Sequence, residues 1–329
     1  MGLATASAPG KLMLFGEHAV LYGQPCIVTA VDLRVQVTVE IMDAPIIQIK
    51  TPLRGETFNI ELDEILEKNE FPKDISFVSI AIKKFMNLSD KKFGASIKTK
   101  SQFTHSYGLG SSSAVTVAAL KALSHATSIS ITPEQIFDLG YQTVLEVQSG
   151  AASGFDVAAA TFGGILYYVA GGKVIDKINV NSLPLIVCYS GTKASTVEQI
   201  KKVSDLYREK TNVVKQVMLE IGKIVDEAKE YLSEGNVQET GRLMNKNQDL
   251  LEGLGISTEN LNILIDSARD AGSYGAKLSG AGGGDCIIAV ADKDKMPNVK
   301  AALSKSKIDN AKVLSLSPLA EGVRIDKVR

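Results

Sequence analysis

The chain has 329 residues, of which 45% are hydrophobic and 22% are charged, which suits a globular protein with two domains around a large apolar interface. Its formal net charge of -1 lacks the basic excess typical of nucleic-acid binding. No uncharged apolar run approaches the roughly 20 residues of a membrane span. We therefore expect neither a nucleic-acid partner nor a membrane partner.

The three cysteines, Cys26, Cys188 and Cys286, lie far apart and include no C-x-x-C pair. An odd number at this spacing predicts neither a disulfide framework nor a zinc site. The first residues also lack the basic segment and long apolar run of a signal peptide. These features favour a cytoplasmic protein.

Strands are predicted in the first third of the chain. Apolar and polar side chains alternate over residues 35–41, which is the period-2 pattern of a half-buried strand. Residues 46–49 and 95–99 are shorter candidates of the same kind. Residues 75–86, between them, suit a helix.

The middle of the chain changes character after a loop rich in glycine and serine. Residues 114–123 are rich in alanine and leucine and contain no glycine or proline, so they predict a buried helix. A second helix is predicted to begin near Pro133, with Thr132 as its N-terminal cap. A strand over residues 164–169 follows.

The second half is predicted to be mostly helical. Residues 184–189 indicate a buried strand, and helical turns follow over residues 197–232 with a break near residues 210–212. A further helix around residue 264 is expected to take Ser257 as its cap. Strands are predicted at residues 285–290 and 311–316.

These elements predict an α+β fold of two domains. A mixed-sheet domain is expected over residues 1–182, and a helix-and-sheet sandwich over residues 183–329. The boundary falls just before the predicted buried strand.

The strongest local signal is the loop at residues 107–114, which opens the predicted buried helix. Its glycines allow positive φ and close approach to an anion, and the helix N-terminus adds unpaired N–H groups. A flexible loop with serine caps is the alternative. Walker and Rossmann loops are excluded, because no lysine precedes the serines and no third glycine follows. The residues predicted to bind ATP are Gly108, Leu109, Gly110, Ser111, Ser112 and Ser113.

Two further segments combine glycines with charged side chains. Residues 277–286 carry four glycines within five positions, more than a tight turn needs, which favours close packing against a ligand or a neighbouring loop. Residues 8–23 bring Lys11 into an apolar strand and place Glu17 and His18 after a glycine. A lysine so placed can neutralise phosphate, although an N-terminal lysine is more often solvated.

These three segments resemble, in order and separation, the motifs of the GHMP kinases, the superfamily of galactokinase, homoserine kinase, mevalonate kinase and phosphomevalonate kinase. Residues 9–23 are similar to the first motif, residues 108–112 to the second and residues 277–284 to the third. The resemblance implies an N-terminal domain like ribosomal protein S5 domain 2 and a ferredoxin-like C-terminal domain. It also implies an ATP-dependent active site between them.

The resemblance further implies individual roles. Residues 153–156 match the stretch that holds the catalytic aspartate, so Asp156 is expected to accept the hydroxyl proton, with Lys11 beside it to stabilise the transferred group. Mg²⁺ is expected at Ser112 and Glu146, although Glu146 lies one residue too close to Asp156 for the family pattern. A capping role for Asp156 and a solvent-facing role for Glu146 are the alternatives.

The acceptor implied by the resemblance is a small anionic alcohol. Residues 16–23 are similar to mevalonate kinases, which favours mevalonate. Tyr107 and Asp285 are more similar to phosphomevalonate kinases, so phosphomevalonate is the alternative acceptor. A non-catalytic ligand sensor and an ATP-dependent decarboxylase are further alternatives, and the family leaves a homodimer open. The predicted acceptor-binding residues are Lys11, Glu17, His18, Asp156, Ser190 and Gly280, and Gly282 is assigned to ATP.

Overall fold

The computed structural model describes residues 2–51, 55–150 and 152–328, and the strands within these ranges form two sheets. The strands are β1 (Leu3–Phe15), β2 (Pro25–Met42), β3 (Ile46–Lys50), β4 (Thr57–Glu61), β5 (Gly94–Ser101), β6 (Ile165–Val169), β7 (Val174–Ile178), β8 (Leu185–Ser190), β9 (Gly275–Ser279), β10 (Cys286–Val290), β11 (Ala311–Val313) and β12 (Arg324–Val328). The helices are α1 (Leu62–Glu67), α2 (Ser76–Ser89), α3 (Ser111–Ala126), α4 (Pro133–Val147), α5 (Phe155–Phe162), α6 (Thr196–Glu209), α7 (Thr211–Glu234), α8 (Val237–Gly253), α9 (Glu259–Asp270) and α10 (Met296–Ser304). The predicted α+β class is confirmed.

The first sheet is built around the long strand β2. Six strands follow the order β12-β1-β2-β5-β3-β4, and β6 and β7 extend from the remaining part of β2. Only β3 and β5 pair in parallel among these described strands. Val35, Val37 and Val39 are buried and the residues between them are partly exposed, which confirms the predicted alternation.

The helix α3 packs against β1 and β2 and against α2 and α4. Its alanines, including Ala114, Ala118 and Ala122, are fully buried, so that little side-chain bulk separates the helix from the sheet. The predicted buried helix is therefore confirmed. Because α3 begins at Ser111, this packing also fixes the position of the loop at residues 107–114, which we call the phosphate loop after its predicted role.

The predicted start of α4 is confirmed in detail. The Thr132 hydroxyl accepts the backbone N–H of Gln135 at 3.3 Å, and the Gln135 side chain accepts the Thr132 N–H at 2.9 Å. This reciprocal pair is a capping box. The predicted helix break near residue 210 is also confirmed, since α6 ends at Glu209 and α7 begins at Thr211.

The second sheet has the antiparallel order β11-β8-β10-β9 and is covered by α8, α9 and α10. Every residue of β8, β9 and β10 is buried, including the charged Lys277 in β9. Contacts with α8, α9 and α10, and of β9 with β1, help to keep these strands from water. The buried strand predicted at residues 184–189 is confirmed as β8, shifted by one residue.

Two local predictions in this half are wrong. Thr258, not Ser257, caps α9, because the Thr258 hydroxyl accepts the Leu261 N–H at 3.4 Å while the Ser257 hydroxyl donates to Asn262. The strand predicted at residues 311–316 ends at Val313.

The strand β12 returns to the first sheet and pairs with the outer edge of β1. The buried Arg34 stabilises this return, because its guanidinium donates to the carbonyls of Glu321 and Gly322 and to both oxygens of Ser7. The division between residues 182 and 183 remains a prediction. No helix in the described ranges is both long and apolar enough to cross a bilayer.

Candidate active site

The phosphate loop forms the entry to α3. Gly108 and Gly110 have φ angles of 69° and 73°, which L side chains disfavour, and Gly110 directly precedes the helix. Ser111, Ser112 and Ser113 form the first turn, where backbone N–H groups lack helical partners and the helix dipole is positive. Within the described ranges the buried Ser113 hydroxyl has no hydrogen-bond partner. The loop has the form of an anion-binding helix N-terminus.

Lys11 links this loop to the first motif. Its backbone N–H donates to the Leu109 carbonyl at 2.9 Å, and its Nζ donates to the Gly108 carbonyl at 3.0 Å. Nζ also lies 5.4 Å from the centre of the Phe155 ring, at the start of α5. The ammonium therefore lies between the phosphate loop and the helix that carries Asp156 in its first turn.

Asp156 is held at the start of α5. Gly154, with φ 90°, precedes the helix, and the Oδ1 atom of Asp156 accepts the N–H of Val157 at 3.1 Å. The side chain is half-buried, so a ligand can reach it. Oδ1 of the carboxylate thus accepts a hydrogen bond from the first turn of the helix, and Oδ2 takes no part in that hydrogen bond.

The pKa of the buried Cys26 thiol is affected by the charges of three predicted site residues. Burial raises the pKa of this thiol well above its ordinary value, and the carboxylates of Glu17 and Asp156 raise it further. The Lys11 ammonium opposes them. These effects on one buried thiol support the prediction that Lys11, Glu17 and Asp156 belong to the same site.

Glu17 and Lys277 form a fully buried ion pair between the first and third motifs. The Lys277 Nζ also donates to the Leu278 carbonyl at 2.6 Å. Burial raises the pKa of the Glu17 carboxyl and lowers that of the Lys277 ammonium, while their mutual attraction acts against both shifts. Sequence reasoning gave Lys277 no role. The signal in the sequence that could have indicated a role was a single charged residue, Lys277, among the small and apolar residues of β9.

His18 has an uncommon backbone conformation, with φ 59°. Its Nε2 lies 2.8 Å from the carbonyl oxygen of Ala281, in the third loop. Burial lowers the pKa of the imidazole, which favours the neutral ring. A carbonyl only accepts, so Nε2 carries the proton and Nδ1 is a hydrogen-bond acceptor. Within the described ranges, neither Nδ1 nor the Oε2 atom of Glu17 has a partner, and both are buried.

The third loop uses its glycines in different ways. A Cβ at Gly282 would lie 2.4 Å from the Ile256 carbonyl oxygen, so this glycine packs against a neighbouring loop. A Cβ at Gly280 would meet nothing within 4 Å, so this part of the loop faces open space. Ser190 is fully buried and its hydroxyl donates to the Thr192 carbonyl at 3.3 Å. Of these three predicted residues, Gly280 has the position best suited to contact a ligand.

Asp285 connects the third loop to the phosphate loop and to the loop that follows β8. Its φ is 59°, its Oδ1 accepts the Ala194 N–H at 3.0 Å, and its own N–H donates to the Thr192 carbonyl at 2.8 Å. A Cβ at Gly108 would lie 2.4 Å from Oδ2, so the carboxylate packs directly on the phosphate loop. Burial raises the pKa of this carboxyl. Sequence reasoning noted Asp285 as a family difference and missed this role.

Glu146 forms an ion pair with a lysine. Its Oε2 lies 2.6 Å from the Nζ of Lys84 on α2, so a lysine ammonium already neutralises the carboxylate. A magnesium ion requires free oxygen ligands, and the described residues include no cluster of three or more metal-ligating side chains. Because Mg²⁺ in kinases takes further oxygens from substrate phosphates and water, the assignment of Ser112 and Glu146 to magnesium stays a prediction.

Comparison with known proteins shows the family to which the chain belongs. Residues 76–164 match the GHMP kinases N terminal domain, and residues 204–309 match GHMP kinases C terminal. The mevalonate kinase of Pyrococcus abyssi is 38% identical over 340 residues, which cover 99% of each chain. The Methanococcus jannaschii mevalonate kinase structure is 29% identical, with a TM-score of 0.82 over 96% of this chain and 98% of that one.

A further solved structure carries an acceptor. The Leishmania major mevalonate kinase in complex with R-mevalonate is 25% identical, with a TM-score of 0.78 over 96% of each chain. Sequence relatives, structural neighbours and both domain models agree. The chain therefore belongs to the mevalonate kinase family of the GHMP kinases.

Proposed function

We propose that this protein phosphorylates mevalonate to 5-phosphomevalonate with ATP as the donor. Membership of the family supports ATP as the donor and mevalonate as the acceptor. The geometry of the site supports phosphoryl transfer as the reaction class. The observation that carries the reaction class is the position of Lys11, whose ammonium lies between the phosphate loop and the helix bearing Asp156. A cation there can attract the donor's terminal phosphate while facing the acceptor hydroxyl.

The proposed step is a direct transfer. The acceptor hydroxyl oxygen bonds to the terminal phosphorus of ATP, the bond from that phosphorus to the ADP oxygen breaks, and Asp156 takes the hydroxyl proton. Lys11 stabilises the negative charge on the transferred group. The N–H groups and hydroxyls at the start of α3 hold the phosphates that remain with ADP.

The pattern of burial supports the division between donor and acceptor sides. Ser111 and Ser112 are half-buried at the open end of α3, where a nucleotide can reach them. Glu17 and His18 are buried, and the Glu17 carboxylate lies next to Gly280, where the third loop faces open space. We assign the first position to ATP and the second to mevalonate.

The test is ADP release by the purified protein with ATP and magnesium, offering mevalonate and 5-phosphomevalonate in separate reactions. We expect release with mevalonate, above a control without acceptor, and loss of release when a chelator removes magnesium. Release with 5-phosphomevalonate alone would instead establish the alternative acceptor, which the similarity of Asp285 to phosphomevalonate kinases favours. Carbon dioxide evolution would indicate a decarboxylase. A folded protein that is silent with both acceptors would contradict the proposal and favour a ligand sensor.

A further inference from the structure

The turn that leads into α5 is packed between two tyrosine side chains. Gly154 lies in this turn with φ 90°, and a Cβ at Gly154 would lie 2.6 Å from the Tyr168 hydroxyl oxygen and 2.8 Å from a ring carbon of Tyr141. These distances are too short for any side chain, so a glycine is needed for the tyrosines to contact the backbone here. The turn is therefore held between a side chain of β6 and a side chain of α4.

The Tyr168 hydroxyl makes two hydrogen bonds at this turn. It donates to the Ser153 carbonyl at 2.6 Å and accepts the Gly172 N–H at 3.1 Å. The Ser153 carbonyl also accepts the Gly171 N–H, at the longer distance of 3.3 Å. Tyr168 is fully buried, so water cannot easily replace a hydroxyl that is removed. The hydroxyl thus joins the turn before α5 to the turn that follows β6.

An aromatic cluster holds both tyrosines in place. The Phe137 ring on α4 stacks on the Tyr141 ring, with 5.9 Å between the centroids, and meets the Tyr168 ring edge-on at 6.4 Å. The Phe137 ring also lies 6.1 Å from the ring of Phe162, the last residue of α5. Aromatic pairs at these separations are stabilising beyond the area that they bury. The cluster therefore packs against both ends of α5.

The position of the turn determines the position of the Asp156 carboxylate. Asp156 is the second residue of α5, and its Oδ1 accepts the Val157 N–H at 3.1 Å, so the carboxylate is bonded to its own helix. That helix begins directly after Gly154, whose carbonyl accepts the Ala158 N–H at 3.0 Å. A shift of the turn would therefore move the first turn of α5 and the carboxylate with it.

A general base works only within a narrow range of positions. It must come within about 3.2 Å of the atom whose proton it takes. A displacement of about 1 Å from the productive geometry can lower the rate on the order of 10²-fold. Asp156 is the base of the proposed reaction, so the contacts that hold the start of α5 bear directly on turnover.

We infer that Tyr168 is a positioning residue, whose hydroxyl holds the turn before α5 so that the Asp156 carboxylate lies within reach of the acceptor hydroxyl. This inference rests on the proposed function, because it concerns the base of that reaction. Tyr168 is fully buried and is not expected to touch ATP or the acceptor. The alternative is a tyrosine that only fills the core.

The first experiment replaces Tyr168 with phenylalanine, which keeps the ring and removes only the hydroxyl. We expect kcat with ATP and mevalonate to fall at least ~10-fold, while the KM of each substrate changes less than about threefold, because the base is displaced and the binding groups are not. Tyr167→Phe is the matched control on the same strand, since it removes a hydroxyl that donates to Asp226 at 2.8 Å. Equal kcat values for the two folded variants would overturn the inference.

A double-mutant cycle with Asp156→Asn separates positioning from a general loss of structure. In the Asp156→Asn background, Tyr168→Phe should lower the residual kcat less than about twofold, because the carboxylate through which Tyr168 acts is absent. The decrease in Tm caused by Tyr168→Phe should be the same in both backgrounds. A tyrosine that only fills the core would lower kcat by the same factor in both, and that result would overturn the inference.

A second variant tests the same turn if Tyr168→Phe does not fold. Tyr141→Leu removes the half-buried ring that packs on Gly154 from the other side. We expect it to lower kcat at least ~5-fold without changing the KM for mevalonate, and a wild-type kcat would overturn the inference.

Failure of this inference and failure of the proposed function give different results. If the wild-type protein releases no ADP with mevalonate, the proposed function is wrong and this inference is overturned with it. If the wild-type protein turns over mevalonate and Tyr168→Phe does so equally well, only the inference is overturned.

Discussion

Ser279 on β9 and Met13 on β1 exchange two hydrogen bonds across the two sheets: the Met13 N–H donates to the Ser279 hydroxyl at 3.1 Å, and that hydroxyl donates to the Met13 carbonyl at 2.8 Å. All of these groups are buried. One hydroxyl therefore satisfies both backbone groups of a residue in the other sheet, close to the acceptor side of the site.

Replacing Ser279 with alanine should destabilise the protein by about 1–3 kcal/mol, because the N–H and carbonyl of Met13 would be left buried without partners. Chemical denaturation of the purified variant measures this change. Ser267→Ala, which removes a hydroxyl from the surface of α9, is the matched control and should change stability by less than about 0.5 kcal/mol. Equal effects of the two substitutions would contradict this account.

Replacing Asp156 with asparagine should lower kcat at least ~10²-fold, because asparagine cannot take the hydroxyl proton. Asparagine keeps an oxygen that can accept the Val157 N–H, so the start of α5 should remain intact. Steady-state kinetics with ATP and mevalonate measures the effect. Asp138→Asn, on the exposed face of α4, should leave kcat unchanged. Near-normal turnover by a folded Asp156→Asn protein would remove Asp156 from the mechanism.

Replacing Lys11 with methionine should lower kcat/KM at least ~10²-fold, since the transferred phosphate would lose its nearest cation. The apolar stem of methionine fills similar space along β1, so the effect should appear in turnover more than in stability. Lys98→Met on the exposed part of β5 is the control. An unchanged kcat/KM for Lys11→Met would contradict the role proposed for the ammonium.

Asp285 offers a test of how the third loop is held against the phosphate loop and the loop that follows β8. Asp285→Asn should change stability little, because asparagine tolerates φ 59° and can still accept the Ala194 N–H. Asp285→Ala should cost about 1–3 kcal/mol, since alanine disfavours that φ and accepts no bond. Urea unfolding distinguishes the two variants. Equal stability of both would show that neither the backbone conformation nor the bond matters.

Because of His18, the free energy of unfolding should decrease as the pH is lowered. Burial lowers the pKa of this ring below the ordinary value of 6.5, so below that value the unfolded chain binds a proton that the folded protein does not. The contribution of the neutral ring is therefore complete above about pH 6.5 and is lost as the pH falls towards the lowered pKa. His18→Asn, which tolerates the same backbone, should lose stability less steeply between about pH 8 and about pH 5. Parallel urea-unfolding profiles for the two proteins would contradict this prediction.

The phosphate loop could be predicted from the sequence because its determinants are local. Gly108 and Gly110 supply the positive φ angles, and the alanine-rich run behind them supplies the buried helix. The capping box of Thr132 and Gln135 is local in the same sense. By contrast, Ser257 and Thr258 are adjacent hydroxyl residues, and only the packing of α9 decides which of them is the cap.

The pairings within the site could not be predicted in this way. Glu17 and Lys277 are 260 positions apart, and nothing local to either residue names its partner. The ion pair of Glu146 with Lys84 likewise depends on the packing of α4 on α2, and neither residue's local sequence indicates it. The resemblance to the family indicated which positions to expect in the site. Which side chains pair with one another depends on tertiary packing.

The return of β12 to the outer edge of β1 has a consequence for synthesis on the ribosome. Ser7 and Asp326, which are bonded in the finished sheet, are 319 positions apart. While the chain is being made, the outer edge of β1 has no partner until β12 emerges, after the other described strands and helices have been translated. An unpaired strand edge is a template for pairing with other chains. Nascent chains interrupted before residue 324 should therefore be exposed to aggregation, and translation must reach β12 before this edge is closed.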